Sequence, residues 1–285
     1  MYYIKKVIFI IVLVISTSGL YGYFNRDYIS SSSIGIGNCG VVNDNSVIEL
    51  LNNPALPLLN TKIGFESLYF IRPVSDEGYY NIVGSLNFRV NDAFMVFGGT
   101  YQEILTEVLT TGKYFFGFNY ALLPDLYLGY RIDMIILQPS GYTEDSGDSL
   151  LINYNGFSGG IGVYYYAFDY LKVGVSYNGI NLKDSSKYIV RVFNFGIDFQ
   201  LTPGVNMYFQ VKGKEDVSNS IGYKSSLNFG IDKELNRYIK IRAGLPGDGF
   251  SLGLSVDYSF IKADYSIKFG LETGNEHFIG LRILY

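Results

Sequence analysis

The chain has 285 residues, with 22 Lys and Arg against 26 Asp and Glu for a formal net charge of −4, and only one His and one Cys. That balance leaves no basic stripe for a nucleic-acid partner, and a lone Cys39 permits neither an internal disulfide nor a cysteine-based metal cluster. With 27 Tyr, 21 Phe, 33 Gly, no Trp and 17% charged residues, the composition favours one aromatic-rich, glycine-rich β-barrel over two ordinary soluble domains.

Residues 1–22 read as a signal peptide. Lys5 and Lys6 form a positive start, 7–15 is an unbroken apolar run, and 16–19 is small and polar. That run is too short for a spanning helix, which needs about 20 apolar residues. Cleavage is expected after Gly19 or Gly22, with Gly22 taken as the boundary. Cys39 lies too far downstream to be a lipoprotein cysteine. No later apolar run approaches helix-spanning length. An exported, membrane-like chain without spanning helices is expected to close its strands into a barrel, because lipid tolerates no unpaired strand edge.

Residues 23–60 differ from the rest, being Ser-, Gly- and Asn-rich over 30–45. A short helix is expected next. Ser46 and Glu49 have capping-box spacing, and Val47, Leu50 and Leu51 supply an apolar face. Pro54 and Pro57 then end it. The segment reads either as a flexible leader or as a compact hatch in the barrel mouth.

From residue 61 to 285, alternation with a period of two marks about fourteen strands. They span approximately 61–71, 79–90, 93–101, 112–122, 125–138, 150–166, 169–179, 188–201, 204–213, 221–233, 237–244, 249–260, 262–272 and 276–285. The connections alternate between short and long, the pattern of outer-membrane barrels, and place both termini on the short-turn, periplasmic side. Gly156, Gly159, Gly160 and Gly162 suggest a bulge or a close approach of the hatch to the wall.

The clearest alternation is GFSLGLSVDYSF at 249–260. Phe250, Leu252, Leu254, Val256, Tyr258 and Phe260 share one face, with Ser251, Gly253, Ser255, Asp257 and Ser259 on the other. Polar faces that mix charge with Gly and Ser, opposite faces of aromatics and aliphatics, indicate an inside-out barrel. The same parity puts Arg89, Arg131, Lys212, Lys240, Arg242, Lys268 and Arg282 in the lumen, with Asp133, Asp198, Asp257, Asp264 and Glu272. These charges are expected to pair and to hold hatch and wall together; the alternative is a selectivity lining for a permeating solute.

The segment 31–58, SSSIGIGNCGVVNDNSVIELLNNPALPL, resembles the N-terminal signature of the FadL-like and PorV/PorQ-like outer-membrane barrels. Gly35, Gly37 and Gly40 stand for its small-residue run, Asn43, Asp44 and Asn45 for its polar segment, and Asn53, Pro54 and Ala55 for its Asn-Pro-Ala motif. Asn38 and Cys39 depart from the small-residue pattern, and Leu56 stands where Gly is commoner. The resemblance implies a fourteen-stranded barrel, a hatch in the lumen and no enzymatic role. It implies one of two jobs beside outer-membrane lipid: passing hydrophobic small molecules, or anchoring secreted surface proteins next to a type IX secretion system. Hatch and lumen binding would then rest on Gly35, Gly37, Gly40, Asn53, Pro54, Ala55, Arg131, Asp198 and Arg242. Independently of any family, an Asn before Pro is pushed to extended geometry, and its amide can satisfy backbone groups at a buried turn.

No cofactor or metal site is expected. The one His, His277, falls on the outward register with Ile279, without the serine that a phospholipase arrangement needs two residues on. Gly35-Ile36-Gly37 lacks the preceding strand and following helix of a phosphate loop. The acidic clusters Asp76-Glu77, Glu144-Asp145 with Asp148, and Glu215-Asp216 read as solvated outer loops, with divalent-cation binding as the alternative.

Overall fold

The computed structural model describes residues 30–44, 46–57, 63–72, 77–91, 93–105, 109–139, 154–183, 190–216, 222–270 and 274–284. The expected signal peptide, its cleavage site, and the acidic positions 76 and 144–148 lie outside them. So do the side chains of Arg89 and Glu272.

Among the described residues fourteen strands run in chain order: β1 (Ile63–Arg72), β2 (Glu77–Asn91), β3 (Phe94–Leu105), β4 (Leu109–Leu123), β5 (Leu126–Pro139), β6 (Tyr154–Phe168), β7 (Leu171–Lys183), β8 (Val192–Thr202), β9 (Val205–Asp216), β10 (Gly222–Asn236), β11 (Ile239–Leu245), β12 (Gly249–Tyr258), β13 (Ile261–Gly270) and β14 (Gly274–Leu284). Each pairs antiparallel with its neighbours in sequence, and β1 closes the ring on β14, with Gly64 opposite Leu284. The fold is a transmembrane up-and-down barrel. It matches the alternation strand for strand, although several strands run further into the long connections than expected. Glu215, expected in an outer loop, lies in β9 and faces Arg191 at 4.0 Å. A strand already paired along its length carries the chain past the point where alternation weakens.

The parity of the faces decides what surrounds the barrel. On β12 the outward residues Phe250, Leu252, Leu254 and Val256 are all more than 40% exposed, whereas the inward Ser251 and Ser255 are buried. Nearly every strand repeats this inversion. The exposed Phe, Leu, Ile and Tyr of the described strands find a matching solvent only in hydrocarbon. One outward polar pair satisfies itself within the belt. His277 faces outward as its register requires, and its Nδ1 meets the Tyr265 hydroxyl at 2.7 Å. Near the short-turn edge Phe168 stacks on Tyr170 at 5.3 Å, and Tyr170 meets Phe199 edge-on at 5.8 Å, as amphipathic rings do at a membrane boundary.

The glycine-rich stretch of β6 is irregular as its composition suggests, with register shifts against β7 at Phe157/Ser158 and Gly159/Gly160. Inside the ring, residues 30–57 fold against the wall. They comprise a short helix, α1 (Ser31–Gly35), and two single-turn 3-10 helices at Gly40–Val42 and Ile48–Leu51. Among the described residues no helix is long and apolar enough to cross a membrane.

A charge on the outer belt therefore has no partner. Leu254→Lys is expected to lower folding stability in lipid vesicles by about 2–4 kcal/mol, read by reversible denaturant titration.

Candidate functional site: the segment inside the barrel

Five residues are too few for a helix to persist alone, so α1 depends on its ends. The Ser30 side chain caps it by accepting from Ser33 N at 3.1 Å. The chain then reverses at Gly37 and Asn38, with φ of 70° and 66°, and Asn38 N donates to Ser33 O at 2.7 Å. Gly37 is obligatory there, because a Cβ would lie 2.2 Å from the Phe229 carbonyl oxygen of β10.

Glu49 ties this reversal to the next turn. It is fully buried, and its Oε1 accepts from Ser30 N (3.2 Å), Ser30 Oγ (2.7 Å) and Ser33 Oγ (2.5 Å), while Oε2 accepts from Asn52 Nδ2 at 2.5 Å. Gly40 is packed against that carboxylate; a Cβ would sit 2.1 Å from Oε2. The capping box expected between Ser46 and Glu49 does not form. Ser46 instead donates to Glu66 Oε2 on β1 at 2.6 Å, and the same oxygen accepts from Val47 N (3.0 Å) and Ile48 N (3.3 Å). A wall carboxylate reaches three donors at once, which no side chain within the four-residue turn can do.

The opposite end of the same turn meets a wall cation. Arg131, 1% exposed on β5, donates through Nη1 to Leu50 O (2.9 Å) and to Leu51 O. Asp133 orients it, accepting from Nε at 2.6 Å and from Nη2 at 3.0 Å. Asn178 adds a bond from Nδ2 to Asn52 O at 2.7 Å. The orphan N–H groups of Ile48–Leu51 thus face an anion and its orphan carbonyls face a cation, the arrangement that helix ends favour.

The Asn-Pro-Ala motif packs into the wall beside this turn. Asn53 Nδ2 donates to Val41 O at 2.9 Å and Val163 O at 3.3 Å, and its Oδ1 accepts from Ala55 N at 3.0 Å, as its place before Pro54 suggested. The motif needs bare wall. Gly129 of β5 and Gly162 of β6 stand directly opposite each other, and Cβ atoms there would fall 2.1 Å from Pro54 C and 2.0 Å from Asn53 Oδ1. Two further cross-strand pairs, Gly174 with Gly196 and Gly230 with Gly244, face Val41 and Ile36–Gly37 in the same way.

The remaining predicted residues divide. Arg242 lies against Gly35 and binds Asp264 at 3.1 Å, beside the Arg282–Asp264 pair at 2.5 Å. Asp198 sits apart at the short-turn end, bound to Lys172 at 3.3 Å, and Lys172 also holds Asp44 of the inner segment at 3.2 Å. Among the described residues, Arg131, Lys240, Arg242, Lys268 and Arg282 each pair with a carboxylate, as expected of lumen charges that satisfy one another. Cys39 is buried, and burial followed by the nearby Glu49 charge pushes its thiol well up, so it stays neutral. Gly162 makes the close approach to the inner segment that the β6 glycines suggested, whereas sequence reasoning missed Glu49 as a hub, Glu66 and the other paired glycines. Inward-facing glycines at matched heights on neighbouring strands were a readable signal.

Among the described residues the interior also has apolar wall contacts. Between β1 and β4 the wall presents Leu68, Met95, Phe97 and Phe115, which join one buried apolar cluster with Leu50, Leu51 and Leu56. Phe97 is fully buried, and its ring occupies the space above Gly117, where a Cβ would lie 2.5 Å from Cζ.

Two substitutions test this construction. Gly129→Val should expel the Asn-Pro-Ala turn and expose the inner segment to added protease, whereas Gly213→Val, at a position with nothing within 4 Å, should leave it protected. Arg131→Met strands Asp133 without its guanidinium and should cost about 3–5 kcal/mol, read from the thermal unfolding midpoint in detergent.

No family model and no curated protein matches the chain. Solved structures do. The toluene transporter TbuX of Ralstonia pickettii superposes with a TM-score of 0.67 at 13% identity, covering 92% of this chain and 99% of that one. A FadL homologue of Pseudomonas aeruginosa superposes at 0.64 with 11% identity, covering 93% and 99%. A deltaS2 mutant of the monoaromatic hydrocarbon channel TodX gives 0.62 at 13%, covering 91% and 98%. Identities this low speak to fold, and the chain has the fold of the FadL-like outer-membrane transporters.

Proposed function

We propose that this protein is a non-enzymatic barrel of the bacterial outer membrane that passes hydrophobic small molecules. In this reading residues 1–22 are removed on export, residues 23–60 form a hatch, and both termini lie on the periplasmic side. The observation that carries it is the apolar sector of the lumen. A passage for water-soluble solutes has no use for Leu68, Met95, Phe97 and Phe115 facing inward, since each would be better placed on the lipid side. The three similar structures, titled as a toluene transporter, a monoaromatic hydrocarbon channel and a FadL homologue, support the same substrate class. Gly35, Gly37, Gly40, Asn53, Pro54 and Ala55 shape the hatch, and Arg131, Asp198 and Arg242 bind it or line its surroundings.

A second reading, a non-transporting anchor for secreted surface proteins, draws support from how tightly the inner segment is bonded. Cells with a lipopolysaccharide outer leaflet distinguish the two. Expression of the full chain should raise the uptake rate of the fluorophore N-phenyl-1-naphthylamine above that of an empty-vector strain. An unchanged rate, together with co-purification of a secreted protein, would favour the anchor.

A further inference from the structure

The two single-turn helices of the inner segment meet the wall through one closed circuit of hydrogen bonds. In the first turn Val41 donates its N–H to Gln210 Oε1 on β9 at 3.1 Å. Gln210 Nε2 donates to Asn194 Oδ1 on β8 at 3.2 Å, and Asn194 Nδ2 donates to Ser176 Oγ on β7 at 3.1 Å. From the other side Asn178 Nδ2 reaches the same Ser176 Oγ at 3.3 Å, and Asn52 O, one residue past the second turn, at 2.7 Å. Asn53 closes the circuit within the inner segment, its Nδ2 donating to Val41 O at 2.9 Å. Ser176, Asn178, Asn194, Gln210 and Asn53 are all buried. Ser176 stands directly opposite Asn194, and the next inward pair, Gly174 with Gly196, is the bare wall against which Val41 lies.

The ends of the circuit dictate the direction of its bonds. A backbone N–H only donates, so Val41 makes Gln210 present its oxygen and pass on a donor, and Asn194 does the same. At the other end Arg131 only donates and Asn52 O only accepts. Asn178 accordingly gives its Oδ1 to Arg131 Nη2 at 3.3 Å and turns its amide nitrogen toward Asn52 and Ser176. Both paths therefore arrive at Ser176 as donors. Its Oγ, with two lone pairs, accepts from both, a role that no apolar side chain can fill.

We propose that Ser176 is the positioning residue through which the wall couples the docking of the two turns. Each amide is held in orientation by the next, so losing one bond weakens the others, as in hydrogen-bond chains of low-dielectric interiors. Gln210 and Asn178 lie on strands two apart, roughly 10 Å at the usual strand spacing, and do not act on each other directly. Whatever clears the lumen then frees Val41 and Asn52 in a single step, not one turn at a time. This goes beyond the passage reading and holds for any solute.

Cys39, the chain's one cysteine and fully buried in the inner segment, reports its opening. The full chain in lipid vesicles is exposed to a maleimide, and the labelling rate is taken relative to that of the denatured chain. Gln210→Met and Asn178→Leu should each speed labelling about tenfold, the effect of one lost buried bond. Combined, they should fall well short of the roughly hundredfold product that independent sites give. In a Ser176→Ala background the two effects should multiply. Asn194→Leu cuts the same path one strand away and should also make them multiply, which keeps the result readable if Ser176→Ala does not fold. Asn119→Leu removes a 3.1 Å bond to Leu56 O outside the circuit, and its effect should multiply with that of Gln210→Met in every background. Simple multiplication of Gln210→Met and Asn178→Leu in the otherwise unaltered chain overturns the proposal. So does a coupling that survives Ser176→Ala and Asn194→Leu, since it would then run through the inner segment, and so does equal coupling to Asn119→Leu.

Discussion

The 3-10 turn at Ile48–Leu51 is the point on which the interior depends, because its backbone is completed by the barrel and not by itself. Glu66 closes one end and Arg131 the other. A turn of four residues has almost all its N–H and C=O groups unpaired, and in a lumen closed to bulk water each must find a partner. The dependence runs both ways. Without the turn, Arg131 would keep Asp133 and Glu66 would keep the more distant Arg282, but each would lose the backbone groups it bonds, so wall and hatch each complete the other's hydrogen bonding.

The glycine pairs serve the same constraint sterically. A wall side chain can bond to hatch backbone only if the two backbones approach closely, and a Cβ at Gly129 or Gly162 would hold them apart. Bare wall beneath Asn53–Ala55 and charged wall at Ile48–Leu51 are therefore parts of one fit. Elsewhere Leu68, Met95, Phe97 and Phe115 meet the same segment through apolar packing.

Glu49 shows how local pattern and tertiary setting compete. Its spacing from Ser46 satisfies the capping-box rule, and in isolation that pairing would form. Within the barrel Ser46 finds Glu66, whose oxygen gathers two backbone N–H groups as well. Glu49 is thereby freed to bind Ser30 and Ser33, nineteen and sixteen positions away. The local rule fails where a group distant in sequence offers a better acceptor.

Alternation alone determined the strands, their number, their direction of facing and the inside-out character of the barrel, because side-chain parity along a strand is set by backbone geometry and needs no partner. The Asn-Pro-Ala turn was legible in part for a similar reason: Asn53 Oδ1 accepts from Ala55 N, two residues on, although Asn53 Nδ2 reaches Val41 O and Val163 O far along the chain. What only the tertiary structure decided is which wall groups meet the hatch. Glu66, Arg131 and the matched glycines acquire their roles from strand register and from the height at which the hatch sits, and both are set by pairings between residues far apart in the chain. The apolar sector likewise exists only once Leu68, Met95, Phe97 and Phe115, from three different strands, are brought side by side.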